Sequence, residues 1–574
     1  MGQGDAFREE IAAALGGAVE APAGEIYAAV IAPPDPALGD YAYPCFALAK
    51  RLRKAPQAIA ADLAGRLGAF GSFVRVEAAG GYLNFALEPA VLVRATLATA
   101  AAAGEAYGGS DEGRGRTVCV DYSSPNIAKP FHVGHLRSTV LGAALIRVFR
   151  ALGFTVVGIN HLGDWGTQFG QILAAFARWG GGSPEATTVA GLNDLYVRWN
   201  RAEKEEPGLR DEARQWFKRL EEGDAEARRL WAAFRQVSLR EFDRIYGLLG
   251  VTFDAVAGES FYNDKIDAAV RALEAKGLAV ASEGALVVPL DELNIPPFIV
   301  RKADEATLYG TRDLAAALYR HETYAFDRML YVVGAPQALH FRQFFAVLER
   351  MGCAWWGRCV HVPFGQVLLR GKRLSSRAGG TVSLEELIER GLEMCRGILA
   401  RREMGPDQKE QIARAVAVGA IVFNDLKTRR IKDVEFDWDQ VLNYDPETRA
   451  FKCETGPYLQ YTHTRLSSLL RRHGRPVDRE ADVGRLGAEQ ELALVRLLYR
   501  YPAVVRQAAE EYEPSAVSRY LIDLASAVSR YWHDVRILTE DAPLTDARVL
   551  LCWCARNVLG SGLGLLGVPA LEEM

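Results

Sequence analysis

The chain has 574 residues, 49% of them hydrophobic and 24% charged, with 68 basic and 72 acidic side chains and a net charge of −4. That length suits about three or four domains, and the composition excludes a disordered or collagen-like chain. The slightly acidic total means that any nucleic-acid contact must come from local basic patches.

At the start, Asp5, Glu9 and Glu10 stand where a signal peptide would be basic and then apolar. Ala6 interrupts the myristoylation pattern that Met1-Gly2 would begin. No run approaches the about 18 apolar residues of a membrane-spanning helix, so a cytoplasmic protein without membrane association is expected. Residues 1–105 read as a small α+β unit. Alternation in Phe73–Glu77 and Tyr82–Phe85 predicts short strands, and helical periodicity runs from Tyr43 to Leu67. The run Ala100–Ala103 and the glycine-rich stretch Gly108–Gly115 mark a boundary.

Residues 106–395 have the texture of an α/β domain. Val118–Tyr122 is a nearly all-apolar strand. Leu136, Val140, Leu141, Ala144 and Leu145 begin a helical stripe that Gly153 stops, and Phe154–Ile159 is a second strand. Such a βαβ unit winds right-handed with parallel strands. The alternation returns with a strand at Met329–Val333, a helix over Ala338–Met351 and a strand at Cys359–Pro363. A Rossmann-like parallel sheet is predicted, split by an insertion at about 171–300. Residues 396–454 read as a helical linker and 455–574 as an all-helical domain, where Val517, Tyr520, Leu521, Leu524 and Val528 form one apolar stripe. Removing everything after about 455 is expected to leave a foldable core. The eight cysteines form no C-x-x-C pair, so reduced thiols are expected and no protein-bound metal.

The strongest chemical signal is His132-Val133-Gly134-His135, between a strand and a helix. Ligands bind at the carboxyl ends of parallel strands, and a helix N-terminus there offers free N–H groups to phosphate. Two imidazoles three residues apart can hydrogen-bond phosphate oxygens as charge develops, and Gly134 lets an adenine ring approach the backbone.

The stretch Ser123-Ser124-Pro125-Asn126-Ile127-Ala128-Lys129-Pro130-Phe131-His132-Val133-Gly134-His135 resembles the first signature of class I aminoacyl-tRNA synthetases, in the form found in arginyl-tRNA synthetases. His161-Leu162-Gly163-Asp164-Trp165-Gly166, Tyr309–Asp313, Gln337–His340 and Gly456–Arg465 extend the likeness, and Gly39-Asp40-Tyr41 resembles that family's additional N-terminal domain. Arg373-Leu374-Ser375-Ser376-Arg377 resembles the second signature, K-M-S-K-S, but has Ser376 where the second lysine usually braces the triphosphate. The resemblance implies a class I fold whose small N-terminal domain contacts tRNA, with an anticodon-binding domain at 455–574. It implies ATP with Mg2+, L-arginine and tRNA(Arg) as substrates, and a monomer. It assigns catalysis to Lys129, His132, His135 and Arg377, with Lys129 compensating for the missing lysine. ATP falls to Gly134, Gly163, Asp164, His340, Ser375 and Ser376, and arginine to Ser124, Asn126, Glu259, Tyr309, Asp313 and Gln337.

Arginine also fits on charge. A guanidinium is always ionised and presents five donors in a plane, so burying it requires carboxylates, and Glu259 and Asp313 match the family's acids. Tyr309 lies one helical turn before Asp313 and could border the guanidinium. Lys427, Arg429, Arg430, Tyr461 and Arg465 are the expected tRNA contacts, and Phe451, Tyr458, Tyr499, Tyr501 and Trp532 could stack on splayed bases. Two other readings stay open at this point. One is a class I synthetase for another amino acid, against which the paired acids and the lack of a zinc-type cysteine set count. The other is a non-catalytic tRNA-binding paralogue, which the altered second signature keeps open.

Overall fold

Five parallel strands position the site: β1 (Thr117–Asp121), β2 (Thr155–Asn160), β3 (Ala255–Val256), β4 (Arg328–Gly334) and β5 (Cys359–Phe364). Their spatial order is β5-β4-β1-β2-β3. Chain order reverses between β1 and β4, which is where an open parallel sheet opens a crevice for ligands. The computed structural model describes residues 5–19, 21–33, 35–301, 309–369, 372–373, 383–400, 402–445, 447, 450–452 and 454–574, with the side chains of 36, 309, 369, 372, 373 and 450 left out.

Helix α1 (Val133–Ala151) joins β1 to β2 and is buried on nearly every side, as its continuous apolar sequence requires. Four helices stand between β2 and β3, including α2 (Val189–Glu205) and the long α3 (Ala225–Leu249). The insertion then returns to the parent sheet through the two residues of β3, too short to be seen in the sequence. It leaves again through a three-stranded antiparallel sheet of Val280–Ser282, Ala285–Val288 and Phe298–Arg301. Helix α4 (Tyr309–Tyr324) leads to β4, and α5 (Ala338–Arg350) joins β4 to β5. Helix α6 (Pro406–Leu426) carries Asp425 into a buried ion pair with Arg137 of α1 at 3.7 Å. Burial pushes the Asp425 carboxyl up to about 6, and Arg137 opposes that rise.

The chain forms two units that do not follow chain order. One comprises Gly113–Thr464, Ala503–Ile522 and Leu559–Met574, and the other Met1–Glu112, Arg465–Pro502 and Asp523–Val558. Within the second, Tyr41–Pro44, Tyr82–Leu87 and Phe73–Ala79 form an antiparallel sheet in that order. The helical periodicity expected from Tyr43 to Leu67 resolves into that first strand and two helices, Phe46–Leu52 and Pro56–Leu67. They are separated at Arg53, which is left-handed, with Pro56 opening the second helix. Gly39 has φ +136°, and a Cβ there would meet the Phe85 carbonyl oxygen at 2.6 Å, so no side chain fits that turn. Beyond it, Asp40 pairs with Arg496 at 2.9 Å, and the Tyr41 hydroxyl meets that of Tyr499 at 2.8 Å. The helix Ala542–Leu566 is long and apolar enough to cross a membrane, but 72% of its most apolar window is buried inside the molecule.

Candidate active site

The segment from β1 to α1 is unusual in its backbone. Ser123, Ser124 and Ala128 all have positive φ, at 72°, 41° and 59°, a region that costs side chains roughly 1–2 kcal/mol each. Buried hydrogen bonds hold it. The Ser123 N–H donates to Ser138 Oγ at 2.9 Å, Ser123 Oγ meets Thr139 Oγ1 at 2.7 Å and Tyr246 Oη at 2.9 Å, and the Ala128 N–H donates to Ser238 Oγ at 2.8 Å. Ser124 Oγ donates to Asp121 at 3.1 Å, and Asp121 in turn pairs with the buried Arg320 at 2.8 Å. Asn126 sits beside Gly163, whose amide and carbonyl bond to Pro125 and Ile127 at 3.1 Å. A Cβ on Gly163 would lie 1.8 Å from Asn126 Oδ1, so that glycine allows the two expected segments to meet.

His132 caps α1. Its Nδ1 accepts the Gly134 N–H at 3.0 Å, and its own N–H donates to His135 Nδ1 at 3.2 Å, with the two rings stacked at 3.8 Å. A ring nitrogen that accepts an N–H carries no proton, so both neutral rings hold theirs on Nε2. Burial lowers both basicities, helped by the charge of Lys129, and His135 falls well below the usual histidine range. Two neutral Nε2–H donors therefore stand at a helix N-terminus. The Lys129 ammonium lies over the ring of Tyr196 on α2, 4.8 Å from its centroid.

The expected acids converge. His340 Nε2 lies 2.7 Å from Asp313 Oδ2, and His161 Nε2 lies 4.0 Å from Asp313 Oδ1. His161 is fixed by its Nδ1, 3.0 Å from the Ala257 carbonyl. Glu259 takes a long hydrogen bond from the Trp165 N–H at 3.3 Å. Burial pushes its carboxyl up to about 7; Arg312 opposes the rise while Asp313 and Asp164 add to it. The site thus brings Glu259, Asp313, His161, His340 and Arg312 together. The sequence reading missed His161 and Arg312, although both lie inside the segments that carried the resemblance.

Asp164 lies deeper than the resemblance implied. It was expected against ATP, but its carboxylate is wholly buried. It accepts the Ser260 N–H and Oγ–H at 2.8 Å and pairs with Arg235 at 3.0 Å. It fastens the turn that carries Glu259. Arg430, expected against tRNA, is half-buried. Its guanidinium donates to the carbonyls of Pro363 at 2.7 Å and Tyr512 at 3.1 Å, and its N–H to Glu513, so these donors brace the protein. Phe451, Tyr458 and Tyr501 are buried as well and offer no face for stacking. Arg429 is exposed, Lys427 and Tyr461 are half-buried, and Arg465 lies 4.6 Å over the Trp532 ring. Gln337 is exposed at the start of α5, and Gly134 is exposed between the histidines. Tyr309 opens α4, but its side chain, like the whole of Ser375, Ser376 and Arg377, lies outside the described residues. Among the described residues no group of three or more His, Cys, Asp or Glu could hold a metal ion.

Comparison with known proteins agrees along the whole chain. Residues 97–438 match the family described as tRNA synthetases class I (R), catalytic domain. Residues 5–87 match the arginyl tRNA synthetase N terminal domain, and 459–574 the DALR anticodon binding domain. An arginine–tRNA ligase of an Exiguobacterium species is 46% identical over 556 residues, covering 96% of each chain. That of Alkaliphilus metalliredigens is 41% identical over 570 residues, 99% of this chain and 100% of its own. Among solved structures, Thermus thermophilus arginyl-tRNA synthetase superposes with a TM-score of 0.83 at 27% identity, covering 100% of both chains.

Proposed function

The chain belongs to the class I arginyl-tRNA synthetases, and from that premise we propose how its own residues carry the reaction. The enzyme activates L-arginine with ATP and charges tRNA(Arg). In the first step the arginine carboxylate attacks the α-phosphorus in line, pyrophosphate leaves and arginyl-adenylate forms. In the second, the 2′-hydroxyl of the tRNA's terminal adenosine attacks the acyl carbon and AMP leaves. Transfer at phosphorus needs positioning and charge stabilisation more than covalent help.

The observation that carries the residue roles is the tautomer pair at the start of α1. With both Nδ1 atoms accepting backbone N–H groups, His132 and His135 present Nε2–H donors to phosphate oxygens where charge grows. Gly134 leaves room for the adenine, with Ser375, Ser376 and Arg377 completing the nucleotide side. Lys129, three residues before His132, supplies the cation that Ser376 cannot. Glu259 and Asp313 hold the guanidinium, bordered by Tyr309. Ser124, Asn126 and Gln337 hold the α-amino and carboxylate end, and His340, expected on the nucleotide, stands against Asp313. Arg429, Lys427, Tyr461 and Arg465 contact tRNA. Mg2+ would come as part of the ATP substrate and offset phosphate charge. We place the enzyme in the cytoplasm as a monomer, and sedimentation at working concentration tests the latter.

Single-turnover adenylate formation, with tRNA present, tests the roles. Lys129→Ala should slow it by about 10²- to 10³-fold with arginine affinity nearly unchanged. A lysine introduced at Ser376 in that variant should recover part of the loss. A normal rate in Lys129→Ala removes Lys129 from the reaction.

A further inference from the structure

The insertion touches the segment before His132 at two successive residues. Ser238 of α3, itself wholly buried, accepts the Ala128 N–H at 2.8 Å and fixes the left-handed turn there. From α2, the half-exposed Tyr196 lays its ring 4.8 Å from the Lys129 ammonium. The backbone just before the lysine is thus held from one insertion helix, and the lysine's charged end from another. A lysine chain is flexible and loses much rotamer freedom when its end is fixed. An aromatic face attracts the ammonium without neutralising it or taking all of its donors.

We propose that Tyr196 is a positioning residue for Lys129. Its ring confines the ammonium near the N-terminus of α1, so that the lysine meets the ATP phosphates already ordered. The inference rests on the reading of Lys129 as the phosphate-facing cation. It gives the insertion a part in the chemistry, through a side chain about 65 residues along the chain from the lysine it serves. The contact needs the ring and not the hydroxyl, because the attraction comes from the π face.

The test is a double-mutant cycle on adenylate formation with tRNA present. Tyr196→Leu should lower the single-turnover rate by about three- to thirty-fold, the factor that contacts of this class are worth, with the KM for arginine unchanged. Tyr196→Phe should restore the wild-type rate. In a Lys129→Ala background, Tyr196→Leu should have no further effect. A second readout follows the lysine itself. In protein whose lysines are 13C-methylated, the Lys129 signal should be shifted upfield by the ring in wild type and Tyr196→Phe, and should lose that shift in Tyr196→Leu. A slow Lys129→Ala with an additive Tyr196→Leu, a Tyr196→Phe as slow as Tyr196→Leu, or an unshifted Lys129 signal would overturn the inference and leave the role of Lys129 standing. A normal rate in Lys129→Ala would overturn that role, and the inference with it.

Discussion

Glu259 can hold a guanidinium only when ionised, yet burial lifts its carboxyl to about 7 in the free protein. A bound cation favours the charged form, so proton and arginine compete for this residue. Lowering the pH through 7 protonates the site and weakens binding; raising it restores the charge. The KM for arginine should therefore fall as pH rises from about 6 to about 8, and Glu259→Gln should raise the KM and flatten the profile. An unchanged profile in that variant would assign the dependence to another group. Asp313 faces two histidines as well as the site. Asp313→Asn should raise the KM for arginine far more than that for ATP, and equal effects would remove it from the guanidinium. These acids were legible in the sequence only through the motifs around them. The Nε2–H tautomers were not, since they depend on which backbone N–H meets which ring nitrogen. The inward turn of the Asp164 side chain was not legible either, because its motif lies beside the nucleotide-binding segment.

One face of α3 serves as a splint for the site. Trp231 donates to the Asp164 carbonyl at 2.8 Å, Arg235 pairs with the Asp164 carboxylate, Ser238 holds Ala128, and Tyr246 meets Ser123 and, at 3.1 Å, Asn160. Phe242 packs edge-on against Phe131. These residues recur every three or four positions, the spacing of one helical face. Ser238→Ala should cost about 1–3 kcal/mol, because a buried N–H at a strained residue loses its acceptor. Denaturant unfolding measures that cost, and a loss below about 0.5 kcal/mol would show that the backbone there finds another partner. The alternation of strands and helices around β1, β2, β4 and β5 was readable because it is local. The splint was not, because its partners lie about a hundred residues away.

At the scale of the molecule, two C-terminal segments, Ala503–Ile522 and Leu559–Met574, are part of the unit that holds the parallel sheet. Glu513 and Tyr512 receive the donors of Arg430, Ser518 Oγ donates to the Leu426 carbonyl at 2.9 Å, and Gln460 donates to the Pro569 carbonyl at 2.9 Å. The clean core expected from a cut after about 455 is therefore not the expected outcome. That truncation should expose the apolar helix α6 and yield aggregated protein, and a soluble, cooperatively unfolding fragment would contradict this packing. Basic residues remain exposed at Arg429, Lys432, Arg471 and Arg472, so tRNA affinity should fall steeply with added salt despite the net charge of −4. A flat dependence would place recognition elsewhere. Helices were easy to read in the last part of the sequence. Their division between two units was not, since periodicity shows that a face is buried but not against what.

That interleaving sets a condition on biosynthesis. A ribosome adds about 5–20 residues each second, so the strands of the parallel sheet emerge well before Glu513 or Pro569 can reach them. During that interval the carbonyls and arginine donors awaiting those segments face water or a chaperone. An enzyme that supplies charged tRNA to translation thus completes the packing of this unit only after residues 503–522 and 559–574 have been made.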